Sequence, residues 1–268
     1  SGIKSLYEMK TLLAVGCSLT DEKFESMAHP ELDCSWPKWP EIVGKKLGYN
    51  VVNLGESGNS NDAIFKSAQD YIIDHKVDMI CALWTQGHRL NIHDMININW
   101  TWSFMDKEIV SSGDCLQKDV FNKDEFSRLL RYKHTALANE YLRYIYMLDQ
   151  LGKYNNNIPV YHMQGLRGYY PYGSSTRVKA HTMRKEYATA FLDSPYFSIL
   201  DKQTNIYGWP LLQELEGSLY IDGGWSQGSH TWKEMQALTL KYRISDKDSH
   251  PNAPGQKIIA NRFMEIIK

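Results

Sequence analysis

The stretch "LLAVGCSLT", residues 12–20, decides how the rest of the chain is read. Leu12 to Val15 form a short apolar run that stops at Gly16, and small polar residues follow at once. A run of this length without polar alternation fits a strand covered on both faces, as strands are in a parallel sheet flanked by helices. Ending such a strand on Gly16-Cys17-Ser18 puts a hydroxyl on a rigid support at the sheet edge. Taken alone, Ser18 reads first as the cap of a following helix. Other parts of the chain have to decide whether it does chemistry.

Working outward, "YNVVNLG" (49–55), "VDMICALWT" (77–85) and "IPVYHMQG" (158–165) repeat the buried-strand pattern, and "YFSILD" (196–201) is a candidate for a further strand. Helical signals lie between them. Glu41 to Leu47 is closed by Gly48, and Ile64, Ala68, Tyr71 and Ile72 recur at helical spacing behind Asn61 or Asp62 as N-cap. "LANEYLRYIYMLDQLG" (137–152) carries an apolar stripe, and the last segment, "NAPGQKIIANRFMEIIK", is amphipathic with a proline near its start.

Strands alternating with helices predict an α/β fold. The expectation is a three-layer α/β/α sandwich around a mostly parallel sheet of about five strands. The whole chain, 1–268, reads as one domain, with insertions at 88–133 and 202–246 placed over the carboxyl edge of the sheet. In such sheets the working site lies beyond the carboxyl ends of the strands. Ser18, Gly58, Thr85 and Gln86 all fall there.

Composition removes several classes of function. The 268 residues are 43% hydrophobic and 23% charged with a formal net charge of −1, so no global field favours nucleic acid or an acidic membrane surface. No apolar segment approaches the roughly 20 residues that span a bilayer. The opening "SGIKSLYEMK" lacks the apolar core of a signal peptide, which suggests a cytoplasmic or virion-associated location. Cys17, Cys34, Cys81 and Cys115 have no CxxC or regular spacing, as expected of reduced thiols. The 17 Tyr, 8 Trp and 8 Phe suit either a large aromatic core or a ring-binding surface for sugars. Oligomeric state leaves no signal.

"DSHPNAPGQ", residues 248–256, changes the reading of Ser18. A serine nucleophile needs a base within hydrogen-bond reach, and the base needs a group that orients it. His250 suits the base. Asp248 suits the orienting acid, because an extended stretch brings residues i and i+2 to one side. Pro251 disfavours helix at His250 and so keeps the stretch extended. The alternative is a loop aspartate and a histidine that caps the last helix. "NLGESGNSND" (53–62) adds Gly58, where no side chain hinders approach to a backbone N–H. Asn61 and Gln86 are neutral side-chain donors for a developing oxyanion, with Asn61 also a candidate cap.

The order "GCSLT", "LGESGNSN", "LWTQGHR", "DSHPN" resembles the SGNH, or GDSL-type, hydrolase superfamily across most of the sheet-forming chain but not the two insertions. That resemblance implies a flavodoxin-like fold and ester hydrolysis through an acyl-enzyme, without metal or organic cofactor. It implies Ser18 as nucleophile, His250 as base, Asp248 as its acid and Gly58 as an oxyanion donor. The sequence departs from the pattern at Cys17, where the family has Asp. It departs again at Gln86, where the oxyanion Asn is expected, and at Lys247, which leaves Asp248, or Asp246, to serve as the acid. The implied activity is removal of a small acyl group, with an O-acetyl group on a carbohydrate as one candidate, from a small-molecule or glycan ester. A glycan-binding or virion-associated module of the same fold with little turnover, or an acyltransferase on the same residues, are the alternatives.

Rival signals are weaker. Gly224-x-Ser226-x-Gly228 matches a nucleophile elbow, but only 40 residues follow Gly228, too few for the acid strand and histidine loop an α/β-hydrolase needs after it. His88, His93, Asp94 and His162 lack metal-site spacing, and His181 with Arg184 reads as one basic helix face. Arg89 is a candidate to bind an anionic group of the substrate, or to form a salt bridge within its loop. Trp84, with Trp100, Trp102 and Trp225, is a candidate stacking surface for substrate or part of the core.

Overall fold

A computed structural model describes residues 9–85, 90–92, 98–103, 108–112, 123–165, 193–207, 240–248 and 250–267; for 90–92, 98–103, 108–112, 123–135, 137 and 138 it describes the backbone alone. In chain order the elements are β1 (Thr11–Gly16), α1 (Trp39–Leu47), β2 (Asn50–Asn53), α2 (Asn61–Asp74) and β3 (Met79–Trp84). Then come β4 (Leu90–Ile92), β5 (Ile98–Ser103), β6 (Glu108–Ser112), α3 (Lys123–Tyr154) and β7 (Val160–Gln164). The helix α4 (Pro195–Leu200), β8 (Ile206–Tyr207), a 3-10 turn at Leu240–Tyr242 and α5 (Ala253–Ile266) complete the set.

β2, β1, β3, β7 and β8 form one sheet in that order, and every neighbouring pair is parallel. Side chains alternate across it, as the pleat requires. Leu13, Val15, Ile80 and Ala82 point to one face, where Ile64, Ala68 and Ile72 of α2 and Leu142, Ile145 and Leu148 of α3 cover them. Leu12, Ala14, Cys81 and Leu83 point to the other, against Trp39 and Val43 of α1 and Ile259, Ala260 and Phe263 of α5. Trp39 stacks on Phe263 with ring centres 4.4 Å apart, which ties those two helices together. The fold is the expected α/β sandwich with helices on both faces of a five-stranded parallel sheet. Among the described residues no helix is long and apolar enough to cross a membrane.

Several local expectations are corrected. Residues 196–201 are not a strand. Ser194 Oγ accepts the Tyr196 N–H at 3.3 Å and Pro195 opens a helix, α4. Its apolar residues then pack on α3, with the Tyr196 and Tyr146 rings 5.5 Å apart. The fifth strand is β8, two residues long, too short to leave a pattern. Ser60, rather than Asn61 or Asp62, caps α2 by accepting the Ala63 N–H at 3.3 Å. The stretch 88–133 holds an antiparallel β4-β5-β6 sheet and the start of α3, which begins at Lys123 rather than near 137. Most of 202–246, including Gly224, Trp225, Ser226 and Gly228, lies outside the described residues.

Candidate active site

The end of β1 is shaped by one side chain, Thr20. A Cβ on Gly16 would fall 2.0 Å from Thr20 Oγ1, and one on Gly55, two residues beyond β2, would fall 2.5 Å from Thr20 Cβ. Both positions therefore need glycine where Thr20 sits between them. Trp39 Nε1–H donates to Thr20 Oγ1 at 3.1 Å, and the Thr20 and Asp21 N–H groups donate back to Cys17 O at 2.8 and 3.1 Å. This closes a tight turn. It buries Cys17, 1% exposed, in the core on the α1 and α5 side and leaves Ser18 as the next residue along.

The loop after β2 is fastened to that turn. Asp21 accepts both the N–H and the O–H of Ser57, at 2.9 and 2.6 Å, and Asn59 Nδ2 donates to Gly16 O at 3.2 Å. Between them Gly58 adopts φ 91°, a left-handed conformation that favours glycine. Neither the Ser18 N–H nor the Gly58 N–H donates to an acceptor among the described residues. Two backbone donors with no internal partner at a sheet edge can receive negative charge on a bound oxygen.

The segment before α5 completes the arrangement. Asn252 caps α5 through the Gly255 N–H at 3.0 Å and holds Arg243 O with its amide at 2.8 Å. The Ile244 N–H donates to His250 O at 2.9 Å and Arg243 forms a β-bridge with Pro251, so the two ends of this turn lie side by side. His250 Nε2 is then 2.9 Å from Ser18 Oγ, and Nδ1 is 2.6 Å from Asp248 Oδ1. The same Oδ1 accepts the His250 backbone N–H at 2.9 Å. The imidazole is 33% exposed, whereas Asp248 is 6% exposed. Phe24 lies against the ring, 4.3 Å between centres.

Burial by itself would raise the Asp248 pKa. Hydrogen bonds from the His250 side chain, Ser26 and the His250 N–H, with the imidazole's charge, outweigh it and hold the carboxyl at about 2. The group is ionised at neutral pH. An ionised Asp248 accepts from Nδ1–H, and in the neutral ring that tautomer makes Nε2 the acceptor for the Ser18 proton.

The structure thus brings Ser18, His250, Asp248 and Gly58 to one edge of the sheet, and the acid beside His250 is Asp248 rather than Asp246. Asn61 has another engagement. Its Oδ1 accepts the Thr85 N–H at 2.9 Å and its Nδ2 donates to Thr85 O at 3.3 Å, bracing the end of β3 against α2. Trp84 is corrected from substrate contact to core. It is 1% exposed and its Nε1–H donates to His162 Nδ1 at 3.1 Å, so no face of the ring is left for a ligand. Gln86 and Arg89 lie outside the described residues, as do His88, His93, Asp94, His181 and Arg184. Among the described residues no group of His, Cys, Asp and Glu is arranged to hold a metal ion. Sequence reading missed Phe24, Ser26 and His29. Their signal is only the length of the β1–α1 connection, residues 17–38, which exceeds the roughly 12–15 residues at which connections commonly have a function of their own.

No protein-family description matches the chain, and no curated protein matches it by sequence. Solved structures overlay on it at low identity. A protein described as lipolytic and of the G-D-S-L family, from Desulfitobacterium hafniense DCB-2, is 11% identical with a TM-score of 0.44, over 96% of this chain and 99% of that one. A catalytic mutant of an acetylxylan esterase from Geobacillus stearothermophilus is 15% identical with a TM-score of 0.47, over 96% and 93%. An alpha/beta hydrolase from the metagenome of Lake Arreo, Spain, is 13% identical with a TM-score of 0.45, over 96% and 94%. Likeness at this level assigns no chemistry to the chain; its own side chains must do that.

Proposed function

We propose that the chain is a serine esterase of SGNH type, working as a single domain. The observation that carries the proposal is the unbroken contact from Ser18 Oγ through His250 to an ionised Asp248, with Nε2 of the imidazole as the open acceptor. In this reading Ser18 Oγ attacks the ester carbonyl as His250 Nε2 takes its proton, and Asp248 stabilises the imidazolium. The carbonyl oxygen gathers negative charge, which the Ser18 and Gly58 N–H groups receive. Collapse of the tetrahedral adduct expels the alcohol, protonated by His250, and leaves an acyl-Ser18 ester. Water, deprotonated by His250, then attacks that ester, and the carboxylic acid departs as Ser18 recovers its proton.

Asn61 is not assigned as a donor, since its amide is already paired with Thr85. The substrate class proposed is a small O-acyl ester, with an acetyl group on a carbohydrate as the first to try. Organophosphonate labelling tests the reading: a fluorophosphonate adduct mapped to Ser18 by mass spectrometry is the expected result. A folded protein that forms no adduct would shift the assignment to a binding module of the same fold. Capture of the acyl group by an added alcohol in preference to water would shift it to an acyltransferase.

A further inference from the structure

The connection from β1 to α1 meets the site at several points. Phe24 packs against the His250 ring, and Ser26 and His29 both reach the turn that presents Asp248. Ser26 is 2% exposed, so no water can easily replace what it does. Its Oγ accepts the His29 N–H at 3.1 Å and lies 2.5 Å from Asp248 Oδ2. With the His29 N–H directed at a hydroxyl lone pair, the hydroxyl proton is left to point at the carboxylate.

A second strut runs beside the first. Ser245 Oγ accepts the Lys247 and Asp248 N–H groups, at 3.1 and 3.0 Å, and is 2.7 Å from His29 Nε2. With both lone pairs engaged, the Ser245 hydroxyl donates to His29, which fixes the turn from outside.

We propose that Ser26 is a positioning residue of the site: its hydroxyl pins Oδ2 of Asp248, so that the carboxylate cannot rotate and Oδ1 stays on His250. This rests on the esterase reading for its effect on rate, but not for its effect on Asp248. Ser26 acts only through Asp248 and meets no substrate. A carboxylate held at one oxygen by His250 alone could swing about its last torsion, whereas one held at both oxygens is locked in the plane the imidazole needs. His250 is the titratable group that faces Asp248 directly. His29 stands one hydroxyl away behind Ser245, with Glu31 Oε1 3.6 Å from its Nδ1, and Lys247 joins the turn through its backbone.

Ser26→Ala and Ser26→Cys, the second nearly the same shape but a weaker donor, test the proposal beside the wild type. Two readouts are taken: the rate of Ser18 phosphonylation by a fluorophosphonate, and the Asp248 carboxyl titration by carbon-13 NMR. With Ala we expect the Asp248 pKa to rise by about one unit and phosphonylation to slow about tenfold, with Cys between Ala and wild type in both. Folded Ala and Cys variants in which Asp248 titrates as in the wild type would overturn the proposal. If the wild type itself takes no phosphonate, the esterase reading fails while the titration still decides the role of Ser26.

Discussion

Among the described residues two histidine–aspartate pairs have nearly the same internal geometry. His250 meets Asp248 at 2.6 Å and His162 meets Asp149 at 2.9 Å. What differs is the second ring nitrogen. On His250 it faces a serine hydroxyl, and the ring is 33% exposed. On His162 it faces the Trp84 indole N–H, and the ring is 0% exposed. An indole N–H is a donor only, so His162 Nδ1 must be an unprotonated acceptor and Nε2–H must donate to Asp149. That pair is locked in one tautomer and sealed in the core between β3, β7 and α3. Asn205 Nδ2 adds a further hydrogen bond to Asp149 at 2.9 Å. A histidine beside an aspartate is therefore no signature of catalysis; the proposed role of His250 rests on the second nitrogen facing a hydroxyl.

Breaking each pair should have opposite consequences. His250→Ala should lower kcat for an acetyl ester by about ten-thousand-fold or more, with a smaller loss of stability than His162→Ala because Ser26 still holds Asp248. Asp248→Asn should follow with a loss of about a thousandfold or more, since an amide can hold the imidazole in the wrong tautomer. His162→Ala should do the reverse. It leaves Asp149 buried without its main partner and should cost about 3 kcal/mol by urea denaturation. Activity per folded molecule should be nearly unchanged.

The acidic range probes the open pair more finely. Asp248 sits at about 2 against an ordinary 3.8, so its ionised form stabilises the fold by roughly 2 kcal/mol. Because the folded value is the lower one, that contribution is complete above about pH 4 and is lost as pH falls towards 2. Urea denaturation of wild type and Asp248→Asn across this range should show the wild type losing the larger share. The smallest effect belongs to Trp84→Phe, which removes one buried donor from His162 and should cost about 1–2 kcal/mol of stability without a change in kcat. A substantial loss of kcat in that variant would mean the sealed pair communicates with the open one.

Much of this was legible in the chain because the sheet is buried on both faces. β1 and β3 are continuous apolar runs, and glycines that Thr20 demands stand at the end of β1 and two residues beyond β2. Asp248 and His250 were legible because they are two residues apart beside a proline. The rest fails for identifiable reasons. Ser26 meets Asp248 across 222 positions of sequence, and no local pattern marks a serine that far away. Trp84 ends a strand at the carboxyl edge, where a tryptophan can face the core or a ligand; its partner His162 lies on β7 and decides for the core. Asn61 has the donor chemistry of an oxyanion hole, yet the end of β3 needs that amide to satisfy the Thr85 backbone.

The most direct measurement is p-nitrophenyl acetate hydrolysis by the wild type beside Ser18→Ala and Ser226→Ala. Turnover that disappears in Ser18→Ala and persists in Ser226→Ala is the predicted result. Turnover that survives in folded Ser18→Ala would contradict the account, and its disappearance in Ser226→Ala alone would move the nucleophile to the glycine-flanked serine.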